Sequence, residues 1–113
     1  MTSQELGQLL LQQFSDLIVS VQIGTGRVRA ILADEIFIDI CFNERGRYSY
    51  HWQQGEGAIY RFNNAPHHPK IPTHPPHFHD GSQGNVRESP VSGVTRNDVQ
   101  TIMTFVREHL TDI

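Results

Sequence analysis

The sequence predicts an α+β fold, an antiparallel β-meander of four to six strands flanked by an N-terminal and a C-terminal helix in two layers. Three observations carry this expectation. Apolar residues alternate with period two through the middle of the chain, between short turn-forming clusters. Helical periodicity is confined to the two ends. The length of 113 residues suits one hydrophobic core, so residues 1–113 read as a single domain.

Thr2 and Glu5 stand at capping-box spacing, and Leu6, Leu9, Leu10 and Phe14 recur near helical spacing, which predicts a helix over 3–14. From Leu17 the rhythm changes: Leu17, Val19, Val21 and Ile23 share one face of a strand, which Gly24-Thr25-Gly26 ends in a turn. Val28, Ala30 and Leu32 alternate with Arg27 and Arg29 in the next strand. Ile36, Ile38, Ile40 and Phe42 then oppose Phe37, Asp39 and Cys41 in the most apolar strand, expected at the centre. Asn43-Glu44-Arg45-Gly46 reads as a hairpin loop, followed by Tyr48, Tyr50 and Trp52 alternating with Arg47, Ser49 and His51. A second hairpin loop over Gln53–Gly57 leads to a strand over Ala58–Phe62. Residues 81–94 read as a long surface loop with one short strand near Val86. Thr95 and Asp98 form a second capping box, and Val99, Ile102, Met103, Val106 and Leu110 make the apolar stripe of a last helix, with Phe105 at its margin.

Composition narrows the function classes. A formal charge of −3 supplies no global field for nucleic acid, so an RNA site would have to be a local patch. The single cysteine, Cys41, leaves no intrachain disulfide and no thiolate cluster, which points to a cytoplasmic setting. No run approaches the roughly 20 apolar residues that span a bilayer, and Met1–Gln8 lacks the basic start of a signal peptide.

The unusual segment is Pro/His-rich and runs from Asn63 to Asp80. Five of the six prolines and five of the seven histidines fall between Pro66 and His79. Pro66, Pro69, Pro72 and Pro75 recur every third residue, the period of polyproline II, so an extended segment over 63–80 is expected. Such a rod rises about 3.1 Å per residue and would hold His68 and His74 about 18 Å apart, too far to share an ion. His77 and His79 then form the one close pair, with Asp80 as a third candidate ligand for a transition metal such as zinc. No other cofactor is expected.

A second constellation lies in the meander. Arg47, Ser49 and His51 share one strand face, and Arg61 meets it if the hairpin register allows. Cleavage of RNA without a metal needs a base for the 2′-hydroxyl, an acid for the leaving oxygen and a cation for the phosphate. His51 with His67 or His68 would fill the catalytic roles, with Arg47 and Arg61 on phosphate.

Tyr48-Ser49-Tyr50-His51-Trp52, Tyr60-Arg61-Phe62-Asn63-Asn64-Ala65-Pro66-His67-His68-Pro69 and His74-Pro75-Pro76-His77-Phe78-His79 together resemble the TumE-like toxins of bacterial toxin-antitoxin systems. The resemblance spans residues 45–90 and is most specific at Asn64–Pro69; Lys70 stands where an acidic residue is usual in the family. It implies a small cytoplasmic toxin, encoded beside a helix-turn-helix antitoxin that binds it. Tyr50, Trp52 and Asn64 then join Arg47 and Arg61 as candidate substrate-binding residues, beside the catalytic candidates His51, His67 and His68. RNA cleavage is the common habit of such toxins. Two other readings stay open on the residues alone: a non-catalytic protein-binding module built on the Pro/His segment, and a histidine-based metal-binding protein.

Overall fold

The structure, a computed structural model, describes residues 1–54 and 58–111. Its elements are α1 (Ser3–Gln13), β1 (Ile18–Gly24), β2 (Arg27–Leu32), β3 (Phe37–Phe42), β4 (Tyr48–Gln54), β5 (Ala58–Asn63), β6 (His77–Gly81), β7 (Val86–Glu88) and α2 (Arg96–Thr111). The strands form one antiparallel sheet in chain order, β1 to β7. The architecture is the predicted one, with seven strands instead of four to six. The strand that sequence patterning missed is β6, which lies inside the Pro/His segment and carries two histidines where an apolar alternation was sought. The hairpin loop expected over Gln53–Gly57 lies, at residues 55–57, outside the described residues.

Both helices cover the same face. Gly7 of α1 packs against Val21 and Ile23, and Phe105 of α2 meets the rings of Trp52, Tyr60, Phe62 and Phe78. Register places Val21, Ala30, Ile38, Trp52 and Tyr60 in one row and Ile23, Val28, Ile40, Tyr50, Phe62 and Phe78 in the next, so these contacts are all on one side. Phe105 is therefore part of the aromatic core and not a margin residue. Capping boxes form as predicted at both helix starts, with Glu5 N–H donating to Thr2 Oγ1 and Asp98 N–H to Thr95 Oγ1. Val99, Ile102, Met103 and Val106 are buried on the inner stripe of α2.

One local departure sits in β1. The pairing slips between Ile18 and Ser20, so Ile18 is buried while Val19 is 69% exposed. This bulge breaks the simple alternation from Leu17 to Ile23, because the extra residue turns Val19 away from the core. In the β1–β2 hairpin, Gly26 adopts φ +65° beneath strand β3, and a Cβ there would lie 2.6 Å from the Phe42 carbonyl oxygen. Gly26→Ala is expected to destabilise the chain by more than about 1 kcal/mol, read as a lower urea midpoint with unchanged slope.

Candidate functional site

The sheet face opposite the helices carries the polar half of each alternating strand. Because the pairs from β2 to β6 are antiparallel and without a register shift, these side chains line up across strands. One row runs Arg29, Asp39, His51, Arg61, His79, and the row beside it Arg27, Cys41, Ser49, Asn63, His77. Members of a row sit one strand spacing apart, about 4.8 Å, close enough for direct contact between long side chains.

Asp39 is clasped by two arginines. Arg29 donates from Nε to one carboxylate oxygen at 2.8 Å and from Nη2 to the other at 3.0 Å, and Arg27 adds a bond at 3.3 Å. Burial pushes the Asp39 carboxyl up, but the hydrogen bonds from Arg29 and Arg27 outweigh it and hold its pKa below the usual carboxylate value. Arg29 also lies over the Phe37 ring, 4.1 Å from its centre, which uses an otherwise exposed aromatic.

His51 pairs with the next residue in the row. Arg61 donates to His51 Nδ1 from Nε and Nη2, each at 3.2 Å. A ring nitrogen that accepts is unprotonated, so His51 is neutral and keeps its proton on Nε2. Partial burial, then the Arg61 charge, lower the His51 pKa, and Asp39 opposes them. The pair opens into a groove of about 420 Å³ lined by Asp39, Arg47, Ser49, His51, Arg61, Asn63 and Ala65, among others. Arg47 and Arg61 form no ion pair with a carboxylate among the described residues. Four arginines, Arg27, Arg29, Arg47 and Arg61, stand on this face against Asp39 and, on β7, Glu88, which leaves a local excess of positive charge that the net charge does not supply.

The Pro/His segment closes one end of this face. It does not hold a single rod: Ile71 N–H donates to the His68 carbonyl and His74 N–H to the Ile71 carbonyl, two successive turns that fold it back on itself. Proline spacing of three fits polyproline II, but it also fits a chain of turns with proline at a bend of each. As a result His68, in the loop, packs against His77 and His79 on β6, with ring centres 4.7 and 5.6 Å away. Their ligating nitrogens all lie within 4.8 Å of one another. His77 Nδ1 bonds the Pro75 carbonyl at 3.0 Å and His79 Nδ1 bonds the Gln83 carbonyl at 2.9 Å. A carbonyl only accepts, so both Nδ1 atoms carry a proton, and in the neutral form of each ring the lone pair is on Nε2. Burial, and then the neighbouring imidazoles His79 and His68, lower the His77 pKa against the opposing Pro75 bond.

Several sequence expectations are relocated by this geometry. Tyr50 and Trp52, expected to meet substrate, are fully buried beneath the helices, because strand alternation that turns His51 outward turns its neighbours inward. Asp80, expected beside His77 and His79, faces the helix side for the same reason and pairs with Arg87 at 3.3 Å. Asn64 is a clasp: its Oδ1 accepts from Tyr48 N–H and its Nδ2 donates to the Gly46 carbonyl, pinning the start of the segment to β4. Cys41 is half-buried on the polar face and not in the core. His67 and His68 part company, His67 exposed and His68 turned into the cluster. Sequence reading passed over Arg27, Arg29 and Asp39 as site residues, although their alternation with Val28, Ala30, Ile38 and Ile40 already placed them outward.

No helix among the described residues is long and apolar enough to cross a membrane. No curated protein and no solved structure matches the chain. The family model described as Toxin TumE matches residues 7–110, from within α1 to the last turn of α2, and so includes both the arginine–histidine groove and the histidine cluster. Toxins of this kind come with an antitoxin partner, and the chain belongs to the Toxin TumE family.

Proposed function

We propose that this toxin cleaves RNA in the groove on the polar face of the sheet. The observation that supports the reading is the Arg61–His51 pair, a neutral imidazole held by a guanidinium inside a cationic groove. A phosphodiester entering between Arg47 and Arg61 would draw the Arg61 fork to its oxygens, since a charge-assisted bond outcompetes one to a neutral imidazole. That releases the lone pair on His51 Nδ1. His51 then takes the proton of the ribose 2′-hydroxyl, and the 2′ oxygen forms a bond to phosphorus. The bond from phosphorus to the 5′ oxygen breaks, and His67, exposed in the segment that follows Ala65 of the groove lining, gives that oxygen its proton. Arg47 and Arg61 offset the charge that builds on the phosphorane. The products are a 2′,3′-cyclic phosphate and a 5′-hydroxyl end, with no metal in the step. In this reading the partner is a cognate helix-turn-helix antitoxin and the setting is cytoplasmic.

Antitoxin-free protein incubated with RNA tests the reading: fragments with those two ends support it, and intact RNA at all protein concentrations rejects it in favour of a non-catalytic binding role. The pH profile is a sharper check. The base must be neutral and the acid protonated, so the rate should follow a bell whose acidic limb reports the His51 pKa. Burial and Arg61 lower that pKa, Asp39 opposes, and Arg47 faces the same groove, so the acidic limb should lie below about 6.5. Removing one positive neighbour with Arg61→Gln favours the protonated ring, and the limb of the residual activity should move to higher pH.

A further inference from the structure

The three imidazoles on and beside β6 have no part in the chemistry proposed for the groove, and their arrangement calls for a ligand. His77 and His79 are 2% and 6% exposed, so their rings have little access to solvent. Both direct their protonated Nδ1 to a backbone carbonyl, which leaves each Nε2 lone pair for another partner. His68 approaches the same point from a different segment of chain. Hydrogen bonding of the far ring nitrogen to a carbonyl is the arrangement that orients metal-binding histidines, because it fixes the tautomer and raises the basicity of the ligating nitrogen.

We infer that His68, His77 and His79 bind one divalent transition ion of the zinc class, which staples the Pro/His loop onto β6. Imidazole ligands suit zinc, nickel, copper and cobalt and discriminate against calcium and magnesium, which take oxygen. Nitrogens bound at about 2.05 Å in a tetrahedron stand about 3.4 Å apart, so ligating atoms now within 4.8 Å of one another need small ring rotations to close the set. Three protein ligands leave the fourth position to water. Asp80 takes no part, since it faces the opposite side of the sheet.

The structural consequence follows from how lightly the loop is held. Between Ala65 and Pro76 its backbone N–H groups make three bonds to backbone, within the loop itself: His67 to Ala65, Ile71 to His68 and His74 to Ile71. An ion joining His68 to β6 closes this loop and restricts the chain that carries His67. The inference stands apart from RNA cleavage, because metal binding is read directly.

The test uses the full chain with any affinity tag removed, stripped with a chelator and titrated with Zn²⁺ against a chromophoric competitor, and with Co²⁺ by visible absorption. One ion per chain, ligand-field bands of four-coordinate cobalt, a melting temperature that rises with zinc, and slower proteolysis within residues 65–76 are expected. His77→Gln and His68→Gln should each weaken zinc binding by more than about 10–100-fold, the cost of losing even an outer partner. His67→Gln, one residue away and exposed, should bind as the wild type does. If His77→Gln fails to fold, His68→Gln decides, since it alters the loop and not the sheet. Absence of one-to-one binding, or equal affinity in His68→Gln and His67→Gln, overturns the assignment.

Discussion

Replacing His51 with alanine should lower RNA cleavage by about 10²–10⁴-fold, the usual contribution of a positioned proton acceptor, with little change in stability. The effect should be large because His67 is engaged as the acid and no other imidazole lines the groove: His79 lies two strands away in the same row, about 10 Å at sheet spacing. The fold should tolerate the change because His51 points outward and its partner Arg61 keeps access to solvent, so no buried charge is stranded. Initial rates on a short RNA, alongside a thermal melt, check both halves. A rate within a few-fold of wild type would remove His51 from the mechanism.

The largest effect on stability is expected from Phe62→Ala, which should cost about 3–5 kcal/mol. Phe62 is fully buried on the inner face of β5 and stacks on Phe78 of β6, with ring centres 4.0 Å apart and planes 5° from parallel. Trp52 stacks on it at 5.9 Å, and Phe105 of α2 meets it edge-on at 5.6 Å. It therefore joins three strands to a helix, and neighbours this rigid cannot collapse to fill the space. For a domain whose whole stability is on the order of 5–15 kcal/mol, such a loss is a large fraction. Urea unfolding followed by tryptophan fluorescence measures it, with Trp52 reporting from within the same cluster. A loss below about 1 kcal/mol would mean that the aromatic core is not the main support of β5 and β6.

The fold was legible where local pattern and tertiary demand agree. Capping boxes at Thr2 and Thr95, the α2 stripe and the alternation in β2 to β5 are local signals, and each formed as read. β6 was hidden because its outward positions are histidines that a second chain segment covers, so its alternation is imidazole with Phe78 and Asp80 instead of polar with apolar. The site was legible in part. The meeting of His51 and Arg61 followed from strand alternation and a register that sequence could only pose as a condition. The approach of His68 to His77 and His79 was not readable, because a three-residue proline period is compatible with both a straight rod and a folded run of turns. Tyr50 and Trp52 were misplaced for a different reason: likeness of motif gave them importance without saying which face they use.

The central claim is that the outward row of histidine and arginine cleaves RNA, and cells that express the toxin without its antitoxin test it most directly. Wild type, His51→Gln and Arg61→Gln should be induced to equal levels, with growth followed and total RNA probed for new 5′-hydroxyl ends. Growth arrest with new 5′-hydroxyl ends in the wild type alone is the predicted result. Arrest of equal strength in all three, without new RNA ends, would contradict the claim and place the toxic activity elsewhere on the molecule.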